Sequence, residues 1–309
     1  MTPPIVILGA FFVDLACRAD RMPVWGETLR GKSFALGPGG KGANQAVAAA
    51  RQGARVEMIT RVGCDTFGDM AHKLFAQEGI GSTFVVTDDA APTGTATIIV
   101  EDASAENAII IVPGACGRLS VADVEAASPA IAGACFFVSQ LELDFAVCRR
   151  GMEISSEARV PVLLNPAPAL QLPESVYPLV SYLTPNENEA SMLVDAPVTN
   201  VMDAKMAARV LRDRGVSNVV VTLGEAGAYV SGESFEGIIP AFRAGPVRDT
   251  TGAGDAFNGG FVAALAQGAG LREAVQFGCA VAGISVTRPG TSPAMPARHE
   301  VDVLLGVVS

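Results

Sequence analysis

The sequence predicts an α/β fold built on a mainly parallel sheet flanked by helices. Short apolar runs, such as residues 5–9 and 218–223, are continuous rather than alternating, as in strands buried on both faces. Helix-length segments follow such runs in regular succession, the pattern of a parallel sheet with helical crossovers. No linker, repeat or low-complexity tract divides the 309 residues, half of them apolar, so 1–309 reads as one domain with an ample core.

In chain order, Ile5-Val6-Ile7-Leu8-Gly9 is the first buried strand, and Asp14 follows its end, where ligands of α/β sheets collect. Residues 22–34 are polar and broken by Pro23, Gly26 and Gly31, which suits an edge sheet or flap rather than core. A glycine-rich loop over 37–42 leads into an alanine-rich helix that runs to about Gln52. A strand at 56–60 and a helix at 67–77 come next. Residues 93–100 and 107–112 are β-branched runs around a polar loop, an antiparallel pair inserted between αβ units. With the polar segment before Phe34 they predict a small sheet covering a ligand. The alternation then resumes: strand 135–139, helix 145–158, strand 162–165, short strand 182–184, a helix opening at 185–190, helix 203–214, strand 218–223 and an apolar helix over 256–266.

Composition excludes several functions. The net charge of -10 and pI of about 4.8 argue against sequence-independent binding to nucleic acid or to an anionic membrane. No window approaches a membrane span, and the start of the chain lacks the basic residues and cleavage site of a signal peptide, so a cytoplasmic protein is expected. Six cysteines without a C-x-x-C pair predict reduced, buried thiols, and two isolated histidines leave little room for a zinc centre or a serine–histidine triad.

The chemistry concentrates in Asp249-Thr250-Thr251-Gly252-Ala253-Gly254-Asp255, just before the apolar helix. Small residues at 252–254 leave backbone N–H groups accessible where a helix begins, which makes an anion site. Asp255 would sit in the first turn beside that anion. A carboxylate repels a phosphate, so its presence is best explained by proton abstraction from an attacking hydroxyl. The bland alternative is that an acid there only complements the helix terminus, at roughly 0.3–1 kcal/mol. Gly37, Gly39 and Gly42 match G-x-G-x-x-G, but far from the first strand and outside a short βαβ unit, so a dinucleotide fingerprint is not indicated. A P-loop is excluded because Gly42 follows Lys41. What remains is a glycine floor flanked by Lys41 and Asn44, suited to a small polyol, against the alternative of a tight turn. Asn186 and Glu189, at i and i+3 of a helix start, suit either a hydrated Mg²⁺ or a helix cap. Thr222, Gly224 and Gly227 form a weak nucleotide signal.

Taken together these motifs resemble the ribokinase-like (PfkB) carbohydrate kinase family, with ribokinase and deoxyribokinase the nearest branch. The elements are Gly40-Lys41-Gly42-Ala43-Asn44-Gln45-Ala46, Gln140-Leu141-Glu142, Asn165-Pro166-Ala167-Pro168, Thr184-Pro185-Asn186 through Glu189, Thr222-Leu223-Gly224, Asp249 to Asp255 and Val286-Thr287-Arg288 with Gly290. The resemblance implies a doubly wound domain with a β lid at about 12–38 and 93–113 that pairs two subunits. It implies ATP-dependent phosphorylation of the primary hydroxyl of a pentose. Asp255 would be the base, and the backbone of Gly252, Ala253 and Gly254 the anion hole. Phe12, Asp14, Gly40, Lys41, Asn44, Ala96 and Glu142 would line the sugar pocket. Asn186 and Glu189 would organise Mg²⁺ and phosphate, and Thr222, Gly224, Gly227 and Cys279 would lie near ATP. A potassium ion would sit by Asp249, Thr251, Ser285, Arg288 and Gly290.

Two positions depart from the family pattern. Phe12 stands where ribokinases carry an asparagine, and its place two residues before Asp14 on an extended segment points it to the same side. Ala294 stands where they carry a serine ligand for the cation, with Ser292 close by. Competing readings are a nucleoside kinase, which needs a base pocket although the lid offers only Trp25 and Phe34, and a non-catalytic sugar or nucleotide sensor, which would be expected to lack Asp255.

Overall fold

The computed structural model describes residues 2–103 and 106–307. The chain begins with β1 (Ile5–Leu8), crosses to a separate small sheet through β2 (Phe12–Ala19) and β3 (Ser33–Gly39), and returns through α1 (Lys41–Arg51), β4 (Val56–Gly63), α2 (Thr66–Glu78) and β5 (Gly81–Asp88). The small sheet is completed by β6 (Thr95–Glu101) and β7 (Asn107–Val112). Two short helices, α3 (Val121–Ala126) and α4 (Ser128–Ala132), precede β8 (Phe136–Ser139), α5 (Phe145–Glu157), β9 (Val162–Leu164), β10 (Tyr182–Leu183), α6 (Glu187–Val194), α7 (Val201–Asp213) and β11 (Asn218–Thr222). A hairpin of β12 (Ala228–Ser231) and β13 (Glu236–Ile239) leads to α8 (Ala253–Ala266), α9 (Leu271–Ser285) and α10 (Arg298–Leu304).

The large sheet has the order β13-β12-β11-β10-β9-β8-β1-β4-β5. Pairing is parallel from β5 to β11 and antiparallel in the final hairpin. Successive residues of β1 enter opposite cores: Ile5 and Ile7 join the cluster under α1, α8 and α9, while Val6 and Leu8 join the one under α5 and α7. That two-sided burial is why the strands read as unbroken apolar runs. Because β1 has β4 on one side and β8 on the other, strand order reverses at its carboxyl end, where α/β sheets open a crevice. The glycine loop before α1 and the segment before α8 both lie there.

The small sheet has the order β3-β2-β6-β7, with β6 and β7 antiparallel as expected. Asp14, expected on an extended segment of the lid, lies within β2, opposite Ala96 and Gly37. Of the polar stretch 22–34, only the residues from Ser33 onward enter the sheet. One face of this sheet and its loop leave apolar side chains in water, notably Phe34, Ile110, Val112 and the fully exposed Trp25. β5, β12 and β13 had no clear sequence signal, the last two being only four residues each. Among the cysteines, Cys116, Cys148 and Cys279 are buried, but Cys17 and Cys135 are half-buried and Cys64 is exposed, which corrects the expectation of general burial. Among the described residues no helix is long and apolar enough to cross a membrane.

Candidate active site

Two helix starts meet over the end of β1. Gly40 precedes α1 with φ 87°, and an added Cβ would lie 2.6 Å from Ala10 O, so only glycine allows this approach. Its neighbour Gly39 makes room for a side chain: a Cβ there would fall 2.2 Å from Asp14 Oδ1. Gly252 precedes α8 in the left-handed region at φ 75°. Behind it a helix start leaves the first N–H groups without intrahelical acceptors. One expected donor is partly taken, because Ala253 N–H donates to Thr250 O at 3.2 Å. The space around the Cα of Gly254 is open.

Asp255 is 5% exposed in the first turn of α8. Asn44 Nδ2 donates to its Oδ2 at 2.9 Å and Gln45 Nε2 to its Oδ1 at 3.0 Å. Burial pushes the Asp255 carboxyl above its ordinary range, while the Lys41 charge and the two amides pull it back. The net upward shift makes it a stronger base than a surface aspartate. Lys41 is disfavoured by burial, but Asp255, Glu142 and Glu189 outweigh this and hold the ammonium charged. Glu142 accepts the Lys41 backbone N–H at 2.8 Å and is pushed by burial to about 7, the Lys41 charge opposing. Asp14 is pushed by burial to about 6, against a hydrogen bond from Thr291.

Polar side chains that the sequence quoted only as motif letters tie this cluster together. Gln45 Nε2 also reaches Asn165 Oδ1 at 3.1 Å, and its Oε1 accepts from Gln140 Nε2 at 2.7 Å. Asn258, one turn after Asp255, donates to Gly254 O at 2.8 Å and accepts from Thr184 Oγ1 at 2.6 Å. The available signal was two adjacent amides, Asn44 and Gln45, inside an alanine-rich helix. Thr291 and Ser292 also reach the cluster, Thr291 Oγ1 donating to Asp14 Oδ2 at 3.4 Å and Ser292 Oγ to Asn44 Oδ1 at 2.7 Å; the sequence had marked Ser292 only as a neighbour of Ala294.

Two cavities flank the start of α8. The larger, about 780 Å³, is lined by Thr222, Gly224, Gly227, Phe242, Val247, Phe257, Cys279 and Val286 among others. The smaller, about 150 Å³, is lined by Lys41, Asn165, Glu189, Gly252, Asp255 and Asn258 among others. Asn186, Thr222, Thr250, Ala253 and Gly254 belong to both walls. Phe12, Asp14, Gly40, Asn44, Ala96 and Glu142 lie outside these two linings. Phe12 is a correction: its ring is 2% exposed, belongs to the apolar cluster with Leu141 and Leu143, and fills the space where a Cβ on Gly94 would sit.

The residues expected at metals also have protein partners. Asn186 and Glu189 cap α6 reciprocally: each backbone N–H donates to the other's side chain at 2.9 Å, and Asn186 Nδ2 donates to Glu189 Oε1 at 2.9 Å. Burial raises the Glu189 carboxyl above its ordinary range. Among the described residues no three His, Cys, Asp or Glu side chains group so as to hold a metal. Asp249 draws its loops together, accepting from Thr251 N–H and Gly290 N–H at 2.9 Å each. The Ser285 hydroxyl donates to Ala282 O, and the Arg288 guanidinium pairs with Glu300.

A buried carboxylate in the first turn of a helix, lining the smaller cavity, could accept a proton from a hydroxyl beside a bound anion. The sequence profile described as pfkB family carbohydrate kinase matches residues 3–298. A ribokinase of Haemophilus influenzae is 40% identical over 300 residues, 97% of each chain. A deoxyribokinase of Salmonella typhi is 37% identical, covering 98% of this chain and 99% of its own. The solved structure of Arabidopsis thaliana ribokinase complexed with ribose and ATP superimposes with a TM-score of 0.90 at 29% identity, covering 99% of both chains. With the motifs in order, the topology shared and the match spanning nearly the whole length, this chain belongs to the pfkB family of carbohydrate kinases.

Proposed function

We propose that the protein transfers the γ-phosphate of ATP to the primary hydroxyl of a pentose, ribose or 2-deoxyribose, giving the 5-phosphate. The observation that carries this reading is Asp255, buried at the start of α8 and bridged by Asn44 and Gln45, where the two cavities adjoin. The base and ribose of the nucleotide occupy the larger cavity, between the Thr222–Gly227 turn and the Phe257–Cys279 wall. The transferring phosphate lies toward the smaller one, where the helix start and the Lys41 ammonium offset its charge. Asp255 removes the hydroxyl proton as that oxygen attacks. Asp14, Asn44 and Glu142 grip the remaining hydroxyls.

Two metal ions fit this reading in different degrees. The one buried carboxylate of Glu189 with Asn186 fits a Mg²⁺ that arrives with the nucleotide and keeps most of its waters, supplying charge neutralisation at the phosphates. Asp249, with backbone around Thr251, Ser285, Arg288 and Gly290, fits a potassium ion that would stiffen the anion loop. The Ser292 hydroxyl, two residues before Ala294, donates to Asn44 Oδ1 at 2.7 Å. The exposed apolar face of the small sheet supports a homodimer through the lid.

The test is ADP formation with a panel of pentoses, hexoses and nucleosides, with the phosphorylated carbon identified by NMR. Ribose or 2-deoxyribose should give the highest kcat/KM and a 5-phosphate. A preference for nucleosides would move the protein to that branch of the family, and absence of turnover with any of them would favour a sensor.

A further inference from the structure

One buried side chain beside the site has no role in the proposed reaction. Ser292 is 1% exposed and lies on the short turn Ser292–Ala294 before α10. Its Oγ donates to Asn44 Oδ1 at 2.7 Å, and the same amide donates through Nδ2 to Asp255 Oδ2 at 2.9 Å. Asn44 is itself 3% exposed, so neither bond is shared with bulk water. The backbone of Ser292 is anchored from the other side, its carbonyl accepting from Arg51 Nη1 at 3.2 Å. Arg51 is the last residue of α1, the helix that carries Asn44 near its start, and its guanidinium is fixed in turn by Glu78.

An asparagine amide is nearly symmetric in shape, and its two ends differ only in donating or accepting. Against an ionised carboxylate only the N–H₂ end is tolerated, since the oxygen end would place two acceptors together. The hydroxyl of Ser292 gives the oxygen end its own donor on the opposite side. We infer that Ser292 is a positioning residue for the phosphoryl-transfer step, holding the Asn44 amide so that one N–H stays on Asp255 and the other remains for a sugar hydroxyl. The inference rests on the assignment of Asp255 as the base. Without Ser292 the amide loses its fixed orientation, Asp255 loses part of the donation that lowers its pKa, and the buried Asn44 oxygen loses its partner.

The experiment is Ser292→Ala, Asn44→Ala and the double variant, with Asp255→Asn measured alongside. Ser292→Ala should lower kcat roughly tenfold, the loss of one oriented buried hydrogen bond, with the KM for ATP unchanged. The acid limb of its kcat–pH profile should move to higher pH. In the Asn44→Ala background the same change should have no further effect on kcat, because the amide through which it acts is gone. Wild-type kcat in Ser292→Ala, an unmoved acid limb, or effects that multiply in the double variant would each overturn the inference. If Asp255→Asn keeps near-normal turnover, it is the assignment of the base that fails. If Asp255→Asn is inactive and the coupling is absent, only the role of Ser292 fails.

Discussion

At the residue scale the site is a cluster of acids that burial keeps from ionising easily, arranged around one lysine. Asp255→Asn should leave the fold and nucleotide binding intact and lower kcat by roughly 10²–10⁴, the usual share of general-base catalysis. Near-normal turnover would make Asp255 a helix-terminal residue only. Glu142 and Asp14, pushed up to about 7 and about 6, bind protons more tightly in the folded chain than in the unfolded one. Their contribution to stability is therefore fully present below the ordinary carboxylate pKa and is lost as pH rises through about 6 and about 7. The sugar-free protein should melt at lower temperature at pH 8 than at pH 5.5 on their account, and Glu142→Gln should flatten that slope. Sugar hydroxyls donating to the ionised forms should release protons on binding, so calorimetric enthalpies near pH 7 should depend on the ionisation heat of the buffer. A buffer-independent enthalpy would show that these carboxyls do not change state. Phe12 belongs to the same scale. Its ring is buried with Leu141 and Leu143, so Phe12→Asn should act on stability, by leaving an amide in an apolar cluster, rather than on the choice of sugar. The Tm should fall, while the ratio of kcat/KM for ribose to that for 2-deoxyribose, which does not depend on the folded fraction, should stay as in the wild type. A ratio that moves toward ribose would instead place the ring at the sugar.

At the element scale the decisive contact is between α1 and α8, which supply Asn44 and Gln45 from one side and Asp255 from the other. A Cβ on Gly259 would lie 2.4 Å from Ala48 Cβ and 2.7 Å from Gln45 O, so the helices touch at a point where only glycine fits. Gly259→Ala should force them apart, lower stability by roughly 1–3 kcal/mol as overpacking does, and reduce kcat by loosening the amides on Asp255. Urea unfolding and steady-state kinetics on the same preparation would check both halves. A stable variant with full activity would mean that the helices adjust without disturbing the base.

On the scale of the molecule, the two-sided core fixes the large sheet while the small sheet stands apart with apolar residues in water. Ile110→Glu on that face should shift the protein toward monomer in sedimentation velocity without unfolding it, and a distribution identical to wild type would argue against pairing through the lid. Turnover at fixed ionic strength should rise with potassium, and more weakly than where a serine occupies the position of Ala294. Equal rates in potassium and in a bulky organic cation would remove the cation from the mechanism.

Much of this was legible in the chain itself because the signals are local. Continuous apolar strands, glycines forced by close backbone approach at Gly40, and small residues opening a helix start at 252–254 are all properties of neighbours in sequence, and the family follows from their order. Contacts between distant residues were not legible. Ser292 meets Asn44 across 248 positions and Gln45 meets Asp255 across 210, and no periodicity encodes such pairs. Asp14 could be placed in the lid from the sequence, but its strand neighbours Ala96 and Gly37 come from two other strands that no local pattern pairs with it. Phe12 lies on the extended strand with Asp14, but the amount of ring left uncovered depended on Gly94, Leu141 and Leu143, which only folding brings to it. Local sequence determined the fold class and the motif around Asp255, because backbone conformation and apolar periodicity are set by adjacent residues. The tertiary structure decided which amide holds Asp255 and which hydroxyl holds that amide, because buried hydrogen bonds pair whichever groups packing leaves without water.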